Sequence, residues 1–400
     1  MTITPEREPR TRVAIHRPAV VLPDHVVTQE EMISALGDHF ARIPHVERGL
    51  DLMRSTTVRT RSLVADLPAI LAPRSFGLRN AHYRKEVVRL GASAAERALR
   101  SAGTDPADVD AFVFVSCTGY ALPGPDAYIA QEIGLRPTVR RTPIQQLGCA
   151  AGASALAEAF HFLQGYPEAT VLVVAAELSS LSFQPEQHSL SDFISNGVFG
   201  DGAAAAVLRR ATPGATGFRI HAARQHLLPE SQSVITGSTT EEGFHFRTDP
   251  RVRSTVPRVI PEIEAFLTEL GWKPDELEFC VSHTGGPVIM DGVEEGLGLR
   301  PGTLRHSRES MARMGNTSSV SVFDVLRRHH GDGSPESGTP EPGSRGLIVA
   351  FGPGFTTEVL AGSWHDDGAA RTERAGQAGQ ASRAGRTAGT GWPGGTTGTG

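Results

Sequence analysis

Short, almost wholly apolar runs recur along this chain, separated by segments in which apolar residues return every three or four positions. A brief apolar run suits a strand covered on both faces, and the 3.6-residue period suits a helix with one face in a core. Strands are expected at 111–117, 170–177, 203–209, 279–284, 346–351 and 356–362. Helices are clearest in two places: the stripe Val259, Ile263, Phe266, Leu267 and Leu270, stopped by Gly271, and the stretch from Tyr83 to Ala102 through Val87, Leu90, Ala94 and Ala98. Both are expected to be plain core-facing helices. Alternation of the two patterns predicts an α/β protein with a parallel or mixed sheet.

Two segments break the pattern. Residues 329–346 are rich in Gly, Pro and Ser between a helix and a strand, which predicts a surface loop. From Asp366 the chain is low in complexity and nearly free of large apolar side chains, so disorder is expected there. Gly389, Gly391 and Gly394 in that tail have the spacing GxGxxG, but no strand precedes them and no helix follows, so the match is read as chance. The stretches "GCAAGASALAEAFHFLQG" and "GNTSSVSVFDVLRRHH" each begin at a glycine followed by a polar residue and continue in helical period, as a duplicated pair of halves would. The expected division is 1–212, 213–365 and a tail at 366–400.

Composition narrows the chemistry. Among 400 residues, 39 Lys and Arg face 44 Asp and Glu, a net charge of -5, so no basic excess points to nucleic acid or an acidic membrane. No stretch approaches the roughly 20 apolar residues of a membrane span, and the start of the chain lacks an apolar signal core. A cytoplasmic protein is expected. The three cysteines, Cys117, Cys149 and Cys280, are far apart and without metal-ligand spacing, so neither a disulfide framework nor a metal site is expected.

Cys117 and Cys280 lie inside apolar strand patterns and read as small core residues. Cys149 sits where "RTPIQQLG" gives way to a helix, in the field of the first free N–H groups, which favours a thiolate. The small residues Ala150, Ala151, Gly152 and Ala153 leave room for something to approach; on this context alone structural and catalytic readings both stand. His283 ends a strand before the turn Gly285, Gly286, Pro287, a place that faces a cleft. Asn316 stands in the turn before the second small-residue helix, where an ordinary cap or turn role would explain it. Together they are a nucleophile and two hydrogen-bond donors, the set that acyl-thioester chemistry needs.

The pieces "LGCAAGASAL", "SNGVFGDGAAAAV", "GFHF", "SHTGGPVIMDGVEEGLGL", "MGNTSSVSVFDVL" and "FGPGFTTE" resemble type III polyketide synthases, the chalcone synthase family, and its bacterial branch in particular. The likeness runs from about Arg12 to Trp364. It implies a thiolase-like, five-layered αβαβα fold of two related halves, forming a homodimer. It implies that Cys149, as thiolate paired with an imidazolium at His283, takes an acyl group from an acyl-CoA starter. Malonyl-CoA is then decarboxylated, with His283 and Asn316 holding the enolate. Leu122 is expected to project into the partner's cavity, Phe199 and Phe244 to narrow the passage from the coenzyme A tunnel, and Arg54, Arg59 and Arg61 to meet coenzyme A phosphates. No cofactor, metal or carrier protein is implied. Ser182 stands where bacterial tetrahydroxynaphthalene synthases tend to carry cysteine; with Ser318 it is expected to line the cavity and leave volume for a bulkier starter. Ala350 replaces the first glycine of the family's "GFGPG" loop and is read as a strand end. An acyl-primed alkylpyrone or resorcinol is therefore expected as product. The alternatives are a malonyl-primed tetrahydroxynaphthalene synthase, a ketoacyl carrier-protein synthase III, and a non-catalytic acyl-CoA-binding subunit.

Overall fold

The structure, a computed structural model, describes residues 11–366 apart from 185, 188, 214, 242 and 332–337. The expected tail disorder and the GxGxxG glycines lie outside the described residues, as does the middle of the 329–346 loop; its described part, 338–344, has no regular structure before the strand at Arg345.

The apolar runs form strands Ala111–Val115, Thr170–Leu178, Asp201–Arg210, Phe279–Ser282, Arg345–Gly352 and Thr356–His365. Ala350 is fully buried inside its strand, paired with Glu358. Strands without such a run were not foreseen. Arg140–Ile144 reads RRTPI, half-exposed at the sheet's edge, where a proline costs no ladder hydrogen bond. Gly217–Leu227 alternates buried and open positions instead of forming a continuous run.

One hydrogen-bonded path joins the strands in the order 279–282, 345–352, 356–365, 217–227, 13–15, 201–210, 170–178, 111–115 and 140–144. Val13–Ile15 pairs with both Leu208–Arg210 and Phe218–Ile220, so the first strand joins the two halves. Each half contains a parallel pair beside an antiparallel strand: 111–115 with 170–178 then 201–210, and 279–282 with 345–352 then 356–365.

Strand periodicity creates the layers, because successive side chains leave opposite faces. Phe112, Phe114, Leu172 and Val174 pack on the outer helix Phe76–Ser101. Their neighbours Val113, Val115, Val171 and Val173 pack with the central helices Ala151–Gly165 and Ser321–His329. In the other half Ile348 and Leu360 join that central cluster, while Leu347, Val349 and Val359 turn to the outer helices Val252–Glu269 and Pro287–Gly296. Three helical layers and two sheet layers result. Among the described residues no helix is long and apolar enough to cross a membrane.

The central layer also explains the small residues after Cys149. A Cβ on Gly152 would stand 2.0 Å from the Ser319 carbonyl oxygen and 2.9 Å from a Val322 methyl. What approaches at Gly152 is the main chain of the second half.

Candidate active site

Three turns converge where the halves meet. After the edge strand, Gln146 and Gly148 adopt φ of +61° and +53°, and the chain passes through the turn Gly148–Ala150 straight into helix Ala151–Gly165. Cys149 stands in that turn at the N-terminal end of the helix, where no side chain caps the start and the Ala150 and Ala151 N–H groups bond Leu147 O and Gly148 O. The second turn follows helix Arg305–Met314. Asn316 Oδ1 accepts the Ser318 N–H at 2.8 Å, which leaves Nδ2 as the free end of the amide, 3.8 Å from Cys149 Sγ. The third turn places His283 just beyond strand Phe279–Ser282, where its Nδ1 accepts the Phe351 N–H at 3.4 Å. A neutral ring with Nδ1 so engaged carries its proton on Nε2 and is a donor there. His283 and Cys149 flank one strand end: Phe351 bonds the imidazole, and a Cβ on the next residue, Gly352, would stand 2.2 Å from Leu147 O and 2.9 Å from Ala150 Cβ.

Burial opposes ionisation of both groups. It pushes the Cys149 thiol up to about 11, against hydrogen bonds from Ser318 and Asn316 that pull it down, and it holds the His283 imidazole down to about 4. The charge-separated pair implied by the resemblance must therefore draw on the helix N-terminus, these donors and the pair's mutual attraction; the Phe351 N–H favours the neutral, Nε2-protonated ring.

A cavity of about 470 Å³ opens in front of Cys149, lined by Cys117, Ser179, Ser182, Phe199, Phe244, Phe246 and Ser318, among others. His283 and Asn316 lie behind its wall, 2% and 4% exposed. Phe199 is the residue at which helix Leu190–Val198 ends, and its ring meets Phe246 edge to face at 5.5 Å, whereas Phe244 meets Phe76. Phe244 and Phe246 share one face of strand Phe244–Thr248, and both line the cavity with Phe199. Leu122 projects outward, 82% exposed, away from this chain's own cavity.

The three arginines separate. Arg54 is exposed and paired with Asp51, and Arg59 is exposed. Arg61 is wholly buried, its guanidinium donating to main-chain oxygens of Asn196, Gly197 and Phe199, so it has no free face for a phosphate. Its assignment to coenzyme A is corrected accordingly.

One cavity residue, Cys117, and the buried carboxylate behind it, Glu177, escaped the sequence reading as parts of the site. Cys117 leaves its strand beside the cavity, its Sγ 3.4 Å from the Glu177 carboxylate and 3.8 Å from Ser318 Oγ. Glu177 is fully buried, accepts from the Cys117 N–H and the Ser319 hydroxyl, and is raised by burial. A lone carboxylate ending an apolar strand was the available signal. Cys280 is a core residue, as expected. Among the described residues no His, Cys, Asp and Glu cluster could hold a metal ion.

This fold, with a cysteine elbow, a buried histidine and an asparagine amide at the seam of two halves, defines a thiolase-type, Claisen-condensing acyltransferase. The chain belongs to the chalcone and stilbene synthase family: the N-terminal domain of that family matches residues 13–213 and the C-terminal domain residues 219–362. It is a type III polyketide synthase, an enzyme class that uses coenzyme A thioesters without a carrier protein. It is 38% identical over 352 residues to 1,3,6,8-tetrahydroxynaphthalene synthase of Streptomyces griseus, covering 88% of this chain and 93% of that one. It is 34% identical to phloroglucinol synthase of Pseudomonas fluorescens, over 87% and 98% of the two chains. The crystal structure of the Streptomyces coelicolor tetrahydroxynaphthalene synthase matches with a TM-score of 0.84 at 37% identity, over 88% of this chain and 99% of that one. Germicidin synthase of the same organism matches with a TM-score of 0.81 at 28% identity, over 88% and 100%.

Proposed function

We propose that Cys149 loads an acyl group from an acyl-CoA starter and extends it with malonyl-CoA, and that the chain is released as an alkylpyrone or resorcinol. The sulfur forms the thioester as coenzyme A leaves with the proton. Malonyl-CoA then loses carbon dioxide, and the enolate oxygen is held by the Asn316 Nδ2–H and the His283 Nε2–H. The enolate carbon attacks the Cys149 thioester; a C–C bond forms, the C–S bond breaks, and the lengthened chain rests on coenzyme A until it returns to the cysteine. The observation that carries this reading is the Asn316 amide, turned by the Ser318 N–H so that its donor end faces Sγ.

Phe199 and Phe244 are proposed as the aromatic gate, with Phe246 packed edge to face on Phe199 beside them. Ser182 and Ser179 line both the main cavity and a smaller one bounded by Met32, Leu63, Ile70 and Leu71, which supports an acyl tail entering between them. Arg54 and Arg59 remain candidates for coenzyme A phosphates. We further propose a cytoplasmic homodimer with its halves divided near residue 212; the exposed Tyr120, Leu122 and Tyr128 support an interface in which Leu122 enters the partner. A second reading, a malonyl-primed tetrahydroxynaphthalene synthase, is favoured by the likeness to the two Streptomyces enzymes.

Mass spectrometry of products from malonyl-CoA alone, then with a panel of acyl-CoA starters, beside Cys149→Ala, tests these readings. A starter-dependent pyrone or resorcinol that vanishes in the variant supports the first. A naphthalene from malonyl-CoA alone replaces it with the second.

A further inference from the structure

Arg61 departs furthest from its expected role. Its guanidinium donates to the main-chain oxygens of Asn196 at 2.8 Å, Gly197 at 2.9 Å and Phe199 at 3.1 Å, and to Oε1 of Gln29. These carbonyls close the last turn of helix Leu190–Val198, where a helix leaves acceptors without intrahelical donors and its dipole favours a cation. The Gln29 amide donates to Gly197 O at 3.1 Å and to Met53 O at 2.7 Å, so it ties the guanidinium to the same turn from the other side. Asp201, buried two residues beyond Phe199, supplies the opposing charge.

The clamped segment holds two parts of the proposed site. It carries Phe199, and it grips the Asn316 peptide on both sides: the Asn316 N–H bonds Val198 O at 2.7 Å, and the Gly200 N–H bonds Asn316 O at 3.1 Å. Strand Thr60–Leu63, which bears Arg61, and Arg59 just before it also hold the approach to Asn316, through the Arg59 N–H on Ala312 O at 2.8 Å and the Thr60 hydroxyl on Arg313 O at 2.8 Å. There is little slack, since a Cβ on Gly200 would stand 2.3 Å from Met314 O and 3.2 Å from Arg61 Cβ.

We infer that Arg61, with Gln29, is a positioning residue that sets both the Asn316 amide against Cys149 and the aperture at Phe199, so that one buried cation governs malonyl decarboxylation and product selection together. This rests on the function proposed above. Arg61→Lys keeps the charge and loses the fork; Gln29→Leu leaves the cation in place and removes its tie, and it serves if the first variant does not fold. For Arg61→Lys, kcat for malonyl-CoA decarboxylation should fall by about tenfold or more with KM within about twofold, because misplaced catalytic groups lose rate before binding. The product ratio should shift, and hydrogen exchange should quicken at residues 196–201 and at Asn316. Gln29→Leu should move the same readouts less. A raised KM with unchanged kcat would overturn the inference in favour of a phosphate contact. Wild-type kcat, products and exchange in a folded variant would overturn it as well. If the wild-type protein makes no polyketide, the functional reading fails, while the exchange measurement still decides the clamp.

Discussion

Gly152→Ala adds one methyl group where helix Ala151–Gly165 meets the main chain of the second half. The new Cβ would stand 2.0 Å from the Ser319 oxygen, against ordinary contact that begins at 3.4 Å, so the turn must retreat by about 1.4 Å or the helix must shift by as much. Ser319 lies three residues past Asn316, whose amide is 3.8 Å from Cys149 Sγ, so a shift of that turn displaces the donor from its place. Overpacking of this kind costs about 1–3 kcal/mol of stability, and a misplacement of about 1 Å at a catalytic group costs roughly a hundredfold in rate. Starter-free malonyl-CoA decarboxylation and thermal melting should therefore both fall. Gly165→Ala is the control: it lies on the same helix, nothing stands within 4 Å of its Cβ, and neither quantity should fall. A Gly152→Ala protein with wild-type decarboxylation and melting would refute this link between helix packing and site geometry.

Three further outcomes are expected. His283→Ala and Asn316→Ala should each lower malonyl decarboxylation by about a hundredfold to a thousandfold, the usual loss for one oxyanion donor, while circular dichroism stays native. Phe246→Ala should alter starter use and product length more than Phe244→Ala, since Phe246 is the ring that meets Phe199; equal product spectra from the two variants would remove that distinction. Burial pushes Glu358 up to about 7 against hydrogen bonds from Gln225 and Ser154. The folded chain thus holds this proton more tightly than the unfolded one, so its contribution is full below about 4.5 and is lost as pH rises through about 7. Glu358→Gln should match the wild type near pH 4.5 and become the more stable protein by pH 8, by about 1–3 kcal/mol; a difference in melting that does not change with pH would contradict this.

Much of the fold was legible because its strands are buried on both faces and so appear as unbroken apolar runs, which Thr170–Leu178 illustrates. Arg140–Ile144 was not, because an edge strand needs no such run and its polar letters resemble a loop. Within the candidate site, Cys149, His283 and Asn316 stood out through their turns and neighbouring glycines. The contact of Phe246 with Phe199 did not, because two aromatic rings on one strand face are equivalent until packing decides which of them reaches that ring. Arg61 was expected to meet coenzyme A phosphates with Arg54 and Arg59, and nothing local distinguishes it from Arg59 two positions earlier.

The order of apolar runs, the helix openings at Cys149 and beyond Asn316, and the spacing of the family's motifs are properties of a linear string. By themselves they determined the α/β class, the family and the trio of candidate residues. The tertiary structure decided the rest: the donor end of Asn316, the proton position on His283, the burial of Arg61 and the filling of the space beside Gly152 by Ser319. Each of these depends on partners far away in sequence, Asn316 with Cys149, His283 with Phe351, Arg61 with Phe199 and Gly152 with Ser319. Such contacts exist only after chain closure brings the halves together, and no local pattern of residues encodes the direction in which a side chain then points.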